Sequence, residues 1–178
     1  RVLAGQSFTC TRQFGDIAFE LRYSPLRNDS GDVRGAIGIA IDVTERKRSE
    51  DRMAFLANYD PLTGLCNRFM FKNRLTHAIQ SADRQRTHVA LLFVDLDNFK
   101  TINDSLGHAA GDDLLKQMAA RFQSVVRVTD TISRLGGDEF TLVLESLAHP
   151  DEATRAAAQI VEHATRPFML GTKEVHVT

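Results

Sequence analysis

Two short acidic stretches of this chain have the residue types and spacing to do chemistry. The first is Arg134-Leu-Gly-Gly-Asp-Glu-Phe140, a glycine pair followed by adjacent carboxylates, lying between the β-rich runs Asp130-Thr-Ile-Ser-Arg134 and Phe140-Thr-Leu-Val-Leu-Glu145. This pattern predicts a hairpin with an acidic tip. Gly136 and Gly137 permit positive φ and leave room for a large anion, while Asp138 and Glu139 can hold a divalent cation against that anion. Gly-Gly-Asp is also the composition of an ordinary surface turn, so the hairpin does not decide alone.

The second stretch follows His88-Val-Ala-Leu-Leu-Phe-Val94, an apolar run that predicts a buried strand, and reads Asp95-Leu-Asp-Asn-Phe-Lys-Thr-Ile-Asn-Asp104. A carboxylate at the end of an apolar strand is costly to desolvate unless it meets a cation or an open strand end. That assigns Asp95 to a metal or a charge pair, and leaves Asp97 and Asp104 in a solvated loop. Asp95 and Asp138 converge only if their strands are neighbours in one sheet. Two carboxylates and a backbone carbonyl would then form a hard oxygen site suited to Mg²⁺, with Mn²⁺ as an alternative. Lys100 adds a positive charge for phosphate, and phosphoryl transfer is the economical reading.

The elements that must position these groups can be read from periodicity. Residues 68–85, 111–126 and 151–164 have helical spacing, and Phe168-Met-Leu170 with 173–178 predicts a hairpin. Upstream, Ser7–Phe14, Ile17–Tyr23 and Val33–Ile41 alternate as three antiparallel strands, with a turn at Asn28–Asp32. Between the halves, 45–58 lacks Gly and Pro and predicts one continuous helix capped by Thr44. Helices mixed with a largely antiparallel sheet give an α+β class. The domain division is 1–44, a linker helix 45–58, and 59–178.

Composition sets outer bounds. The chain is 43% hydrophobic and 25% charged, with 22 basic against 23 acidic residues and a formal net charge of −1. No basic excess points to nucleic acid, so anion binding must come from local placement. Cys10 and Cys66 lack metal-ligand spacing and read as reduced thiols in a cytoplasmic compartment. No apolar run approaches the roughly 20 residues of a membrane helix, and the start is not a signal peptide. Opening on Arg rather than Met, the stretch reads as part of something longer.

The segments Asp95–Asp104, Leu106-Gly-His-Ala-Ala-Gly-Asp112 and Arg134–Phe140 together resemble the signature of the GGDEF family, the diguanylate cyclases, over residues 55 to 178. Asp60-Pro-Leu-Thr-Gly-Leu-Cys-Asn-Arg68 is similar to that domain's opening turn, with Cys66 where proline is common. The resemblance implies a palm-like nucleotidyl-cyclase fold and condensation of two GTP into cyclic di-GMP. Two Mg²⁺ ions would be held by Asp95, the Leu96 carbonyl and Asp138. Asp138 is the first choice of proton acceptor and Glu139 the second. Asn103 and Asp112 would read guanine, with His108 lining the site. Read as bare residues, Asn103 could cap a helix, His108 end a loop and Asp112 favour a helix dipole.

Arg127-Val-Thr-Asp130 stands five residues before the glycine pair and resembles the family's inhibitory product site, where arginine and aspartate engage cyclic di-GMP. An exposed charge pair is the plain alternative. Ser24-Pro-Leu26 and Asp42-Val-Thr-Glu-Arg-Lys47 resemble the C-terminal part of a PAS sensor domain, and the helix after it resembles a signalling coiled coil. The resemblance implies a homodimer, one GTP per domain. It leaves open a catalytically silent GTP-binding module that regulates an attached phosphodiesterase (EAL) domain. The family fold continues beyond Thr178. This implies that the stretch alone, with Lys100 and Arg134 as triphosphate cations, is impaired.

Overall fold

The computed structural model describes residues 1–177 and divides into two units, Arg1–Ala54 and Phe55–Thr178. In the first, β1 (Phe8–Phe14), β2 (Ile17–Arg27) and β3 (Val33–Asp42) form an antiparallel sheet in that order. Phe8 pairs with Tyr23 across β1 and β2, their rings stacked 5.0 Å apart. The turn before β3 closes where Asn28 Oδ1 accepts the Asp32 N–H at 2.8 Å.

Helix α1 (Thr44–Asn58) starts differently from expectation. Thr44 is its first residue, not its cap. Asp42 Oδ1 accepts both the Thr44 N–H (2.9 Å) and its hydroxyl (2.6 Å), and Thr44 Oγ1 accepts the Ala18 N–H at 2.9 Å. The threonine hydroxyl is thus spent tying the helix to β2. These two hydrogen bonds, hydroxyl first, hold the Asp42 carboxyl below its ordinary range.

The second unit contains α2 (Arg68–Gln85), β4 (His88–Val94), α3 (Phe99–Leu106), α4 (His108–Val125), β5 (Thr131–Gly136), β6 (Glu139–Leu147), α5 (Asp151–Ala164), β7 (Phe168–Leu170) and β8 (Lys173–Val175). β4, β6 and β5 form an antiparallel sheet in that order, and β7 and β8 a separate hairpin. This is the expected α+β arrangement. Strand alternation sorts the sheet's side chains. Val143 and Val89 pack with Phe71, Leu75 and Ala78 of α2. Phe140, Leu142, Ile132, Leu92 and Val94 pack with Ile102 of α3, Leu114 to Phe122 of α4, Ile160 of α5 and Phe168 of β7.

Three expectations need correction. β4 is not fully buried: it is an outer strand of the sheet, and Leu91 and Phe93 are 36% and 71% exposed. The stretch after Asn98 is not a loop but α3, because Phe99, Ile102 and Leu106 recur at the spacing of one helical face and pack on the core. Helix α4 begins at His108, before the predicted Gly111, after the left-handed Gly107 (φ 85°).

The centre of the core is the edge-to-face pair Phe122–Phe140, centroids 5.4 Å apart, both fully buried. Phe122→Ala is expected to destabilise the second unit by about 3–5 kcal/mol, read as a lower denaturant midpoint. Among the described residues no helix is long and apolar enough to cross a membrane, and both cysteines are free thiols.

Candidate active site

The hairpin turns on Gly137 and Asp138, with Gly136 paired to Glu139. Gly136 has φ 148° and Gly137 φ 55°, and a Cβ on either would meet open space. Glycine is therefore required by backbone conformation, not by crowding. Arg134 braces the tip: its Nε and Nη2 donate to the Gly137 carbonyl at 2.9 and 2.7 Å, and its Nη1 donates to Asp60 Oδ1 and Oδ2 at 3.0 and 3.1 Å. Asp60 Oδ2 also accepts the Thr63 N–H and hydroxyl at 2.8 and 2.7 Å. Burial pushes the Asp60 carboxyl up, but the Thr63 hydrogen bonds and the Arg134 charge outweigh it and leave it lowered. With 12% of its side chain exposed, Arg134 is a structural brace and not the free phosphate cation expected of it.

The register brings the two acidic stretches together. Val94 pairs with Phe140, so the next residues outward on the two strands are Asp95 and Glu139, with Asp138 one step further. Asp95 is exposed and Asp138 half-buried. Among the described residues neither carboxylate has a hydrogen bond or an ion pair. The Leu96 carbonyl, on a buried residue, receives the Phe99 N–H at 3.3 Å and keeps a second lone pair. Two unpaired carboxylates and a carbonyl at adjacent strand ends are an all-oxygen donor set that fits a hard divalent cation. Among the described residues no three His, Cys, Asp or Glu side chains cluster as a metal site, so the candidate donor set is two carboxylates and a carbonyl.

Glu139 points toward Arg68, at 4.0 Å. Both line a cavity of about 410 Å³ with Phe93, Asp95 and Leu135. Arg68 is a cation that residue reasoning did not single out, although it closes the opening-turn motif. It is held by the start of α2, where Asn67 Oδ1 accepts the Met70 N–H (3.0 Å) and Asn67 Nδ2 donates to the Leu56 carbonyl (3.1 Å).

Lys100 lies exposed in the first turn of α3, and Asn103 follows one turn later. His108 and Asp112 are both exposed and four apart on α4, so they share a face. At the α3–α4 junction the Asn103 side chain lies against Gly111, and Asn103 Oδ1 is buried without a hydrogen-bond partner. A buried unpaired amide at a helix junction is unusual, and it suits a ligand that completes the bonding.

Arg127 and Asp130 are not part of this group. They sit before β5 while the glycines end it, on the order of 20 Å away at strand rise. Asp130 Oδ2 accepts the Arg127 N–H (2.9 Å) and Oδ1 the Glu145 N–H (3.1 Å). Arg127 Nη2 meets Glu152 Oε2 at 3.3 Å, while Glu152 Oε1 accepts the Ala148 and His149 N–H groups. Arg127, Asp130, Glu152 and Arg155 line a separate cavity of about 250 Å³. The simple Arg127–Asp130 charge pair is thus replaced by an Arg127–Glu152 pair, because α5 presents its first-turn acid there.

Comparison with known proteins decides the family. Residues 57–178 match the family described as diguanylate cyclase, GGDEF domain, and residues 4–48 match the PAS fold. The chain belongs to the GGDEF diguanylate cyclase family. This GGDEF chain is similar to the bifunctional diguanylate cyclase/cyclic di-GMP phosphodiesterase MucR of Pseudomonas aeruginosa, 42% identical over 76% of this chain and 20% of that protein. The diguanylate cyclase TpbB of the same organism is 44% identical over 66% of this chain and 27% of its own length. The cyclic di-GMP phosphodiesterase PdeR of Escherichia coli is 38% identical over 77% and 20% respectively. The chain therefore spans only a fifth to about a quarter of these relatives. Among solved structures, the isolated GGDEF domain of TpbB superposes with a TM-score of 0.65 at 42% identity, covering 67% of this chain and 70% of that one. The coiled coil and GGDEF domain of DgcB from Caulobacter crescentus, in complex with c-di-GMP, gives 0.65 at 27% identity, covering 75% and 72%.

Proposed function

We propose that this GGDEF domain is the catalytic half-site of a diguanylate cyclase, condensing two GTP molecules into cyclic di-GMP under control of its N-terminal PAS part. The observation that carries the reading is the pair of unpartnered carboxylates, Asp95 and Asp138, at neighbouring strand ends. Mg²⁺ held by Asp95, the Leu96 carbonyl and Asp138 would acidify the attacking 3′-hydroxyl and offset charge at the α-phosphate. The protein's own groups supply the rest. Asp112 and Asn103 fix the guanine, beside His108. Lys100 and Arg68 offset the triphosphate charge, and the side-chain-free tip at Gly136 and Gly137 admits it. Asp138 takes the 3′-hydroxyl proton, with Glu139 second in line but drawn toward Arg68.

Each 3′-oxygen forms a bond to the α-phosphorus of the other GTP as the α–β phosphoanhydride bond breaks and pyrophosphate leaves. One domain binds one GTP, so two domains must face each other in a homodimer. The catalytic part would work on cytoplasmic GTP. The test is product analysis of the full-length protein with GTP, Mg²⁺ and an ATP control. Cyclic di-GMP from GTP alone is the expected result.

The likeness to PdeR supports a second reading, a GTP-binding module regulating a phosphodiesterase domain. GTP binding without any product would select it. The retained Asp138 and Glu139 favour catalysis. A product brake at Arg127 and Asp130 also belongs to the proposal, with guanidinium forking onto phosphate or guanine. The Arg127→Ala protein is expected to keep synthesis and lose inhibition by added cyclic di-GMP. Inhibition unaltered in that variant rules the brake out.

A further inference from the structure

Gly111 is buried in the fourth position of α4, a helix interior where glycine is the poorest residue short of proline. Its backbone is ordinary helix, so no left-handed conformation explains it. The explanation is a neighbour. A Cβ at 111 would stand 2.0 Å from Asn103 Oδ1, 2.9 Å from Cγ and 3.3 Å from Nδ2. No side chain fits there while Asn103 keeps its position.

The order of those distances fixes the orientation of the amide. The oxygen is the inner end, seated against the glycine and buried. The nitrogen is the outer end, and neither end has a hydrogen-bond partner among the described residues. An amide nitrogen only donates, and the carboxylate of Asp112, next to Gly111, only accepts. One donor beside one acceptor complements guanine, which offers O6 as acceptor and N1–H and N2–H as donors. Adenine presents the reverse pattern. With the amide turned over, two acceptors would face the base, and guanine O6 would be left without a donor.

We propose that Gly111 is a specificity-positioning residue: by lacking a Cβ it seats the Asn103 oxygen on α4 and turns the amide nitrogen toward the nucleobase. The inference rests on the reading that Asn103 and Asp112 meet guanine. It adds that base choice is enforced from behind, by a residue that never touches the nucleotide.

The test uses the full-length protein, titrated with Mg²⁺ and non-cleavable α,β-methylene analogues of GTP and ATP, and melted in parallel. Gly111→Ala is expected to weaken GTP-analogue binding tenfold or more, leave ATP-analogue binding unchanged, and so erase the guanine preference. The double variant Gly111→Ala/Asn103→Ala is expected to match Asn103→Ala alone, since glycine matters only through that side chain. A Gly111→Ala protein that melts lower but keeps its GTP-to-ATP ratio makes the contact mere packing and overturns the proposal. If Gly111→Ala does not fold, Asn103→Ala and the double variant carry the test, and a further loss of guanine preference in the double overturns it. Should Asn103→Ala retain full guanine preference, the base-reading assignment itself fails. Loss in Asn103→Ala with none in Gly111→Ala removes only the role of Gly111.

Discussion

Asp138→Ala is expected to reduce cyclic di-GMP synthesis by the full-length protein about 10³-fold or more, the combined scale of a lost general base and a lost metal ligand. Its melting temperature should hardly move. Asp138 sits at a hairpin tip with no hydrogen bond or ion pair to lose, and such substitutions stay within about 0.5 kcal/mol. Asp138→Asn should be nearly as inactive, because it keeps the shape but neither the charge nor the proton-accepting oxygen pair. Chromatographic detection of product, paired with a thermal melt, separates a chemical from a structural defect. Turnover like that of the parent protein would remove Asp138 from the metal and base roles together.

The second large effect concerns the brace. Removing Asp60 leaves Arg134, mostly buried, without its carboxylate, and loosens the clamp on the Gly137 carbonyl. Asp60→Ala is expected to cost about 2–3 kcal/mol, between the values for exposed and for fully buried pairs, and to lower activity through the hairpin. Asp60 also predicts a pH dependence. Its folded pKa lies below the ordinary 3.8, so its contribution is present above that value and is lost as pH falls through the folded pKa. Asp60→Asn should flatten that acid limb. Urea midpoints at several pH values below and above 4 measure it, and an acid limb identical in both proteins would exclude Asp60 as its source.

Much of this was legible because the signals are local. Alternation in Ile17–Tyr23, an uninterrupted helical period in Arg68–Gln85 and glycines at the turn of the acidic hairpin each depend on a few neighbouring residues. That Asp95 and the acidic hairpin lie at one end of one sheet needed only that two strands be adjacent, and the pairing of Val94 with Phe140 makes them so. What was misread depends on partners far along the chain. Arg134 looked like a free cation because Asp60, its partner, is 74 residues away. β4 looked buried because an apolar run does not say whether its strand has one neighbour or two. α3 was hidden by its polar residues, although Phe99, Ile102 and Leu106 carried the helical period. Thr44 reads as a cap because its hydroxyl can accept a helix N–H, but that oxygen is taken by the Ala18 N–H from 26 residues away, and Asp42 accepts the Thr44 N–H instead.

Residues 66 and 67 join more than they seem to from their size. Asn67 gives its N–H to the Asn58 carbonyl and its side-chain nitrogen to the Leu56 carbonyl, while its oxygen opens α2. One residue earlier, Cys66 receives the Arg134 N–H at 3.0 Å and donates to the Ile132 carbonyl at 3.3 Å. The final turn of α1 is thus keyed, through two consecutive residues, to the same strand that carries the glycine pair. Leu56 and Asn58 thus share one hydrogen-bonded frame with the strand under the acidic tip, so the last turn of α1 is part of the scaffold that holds the hairpin.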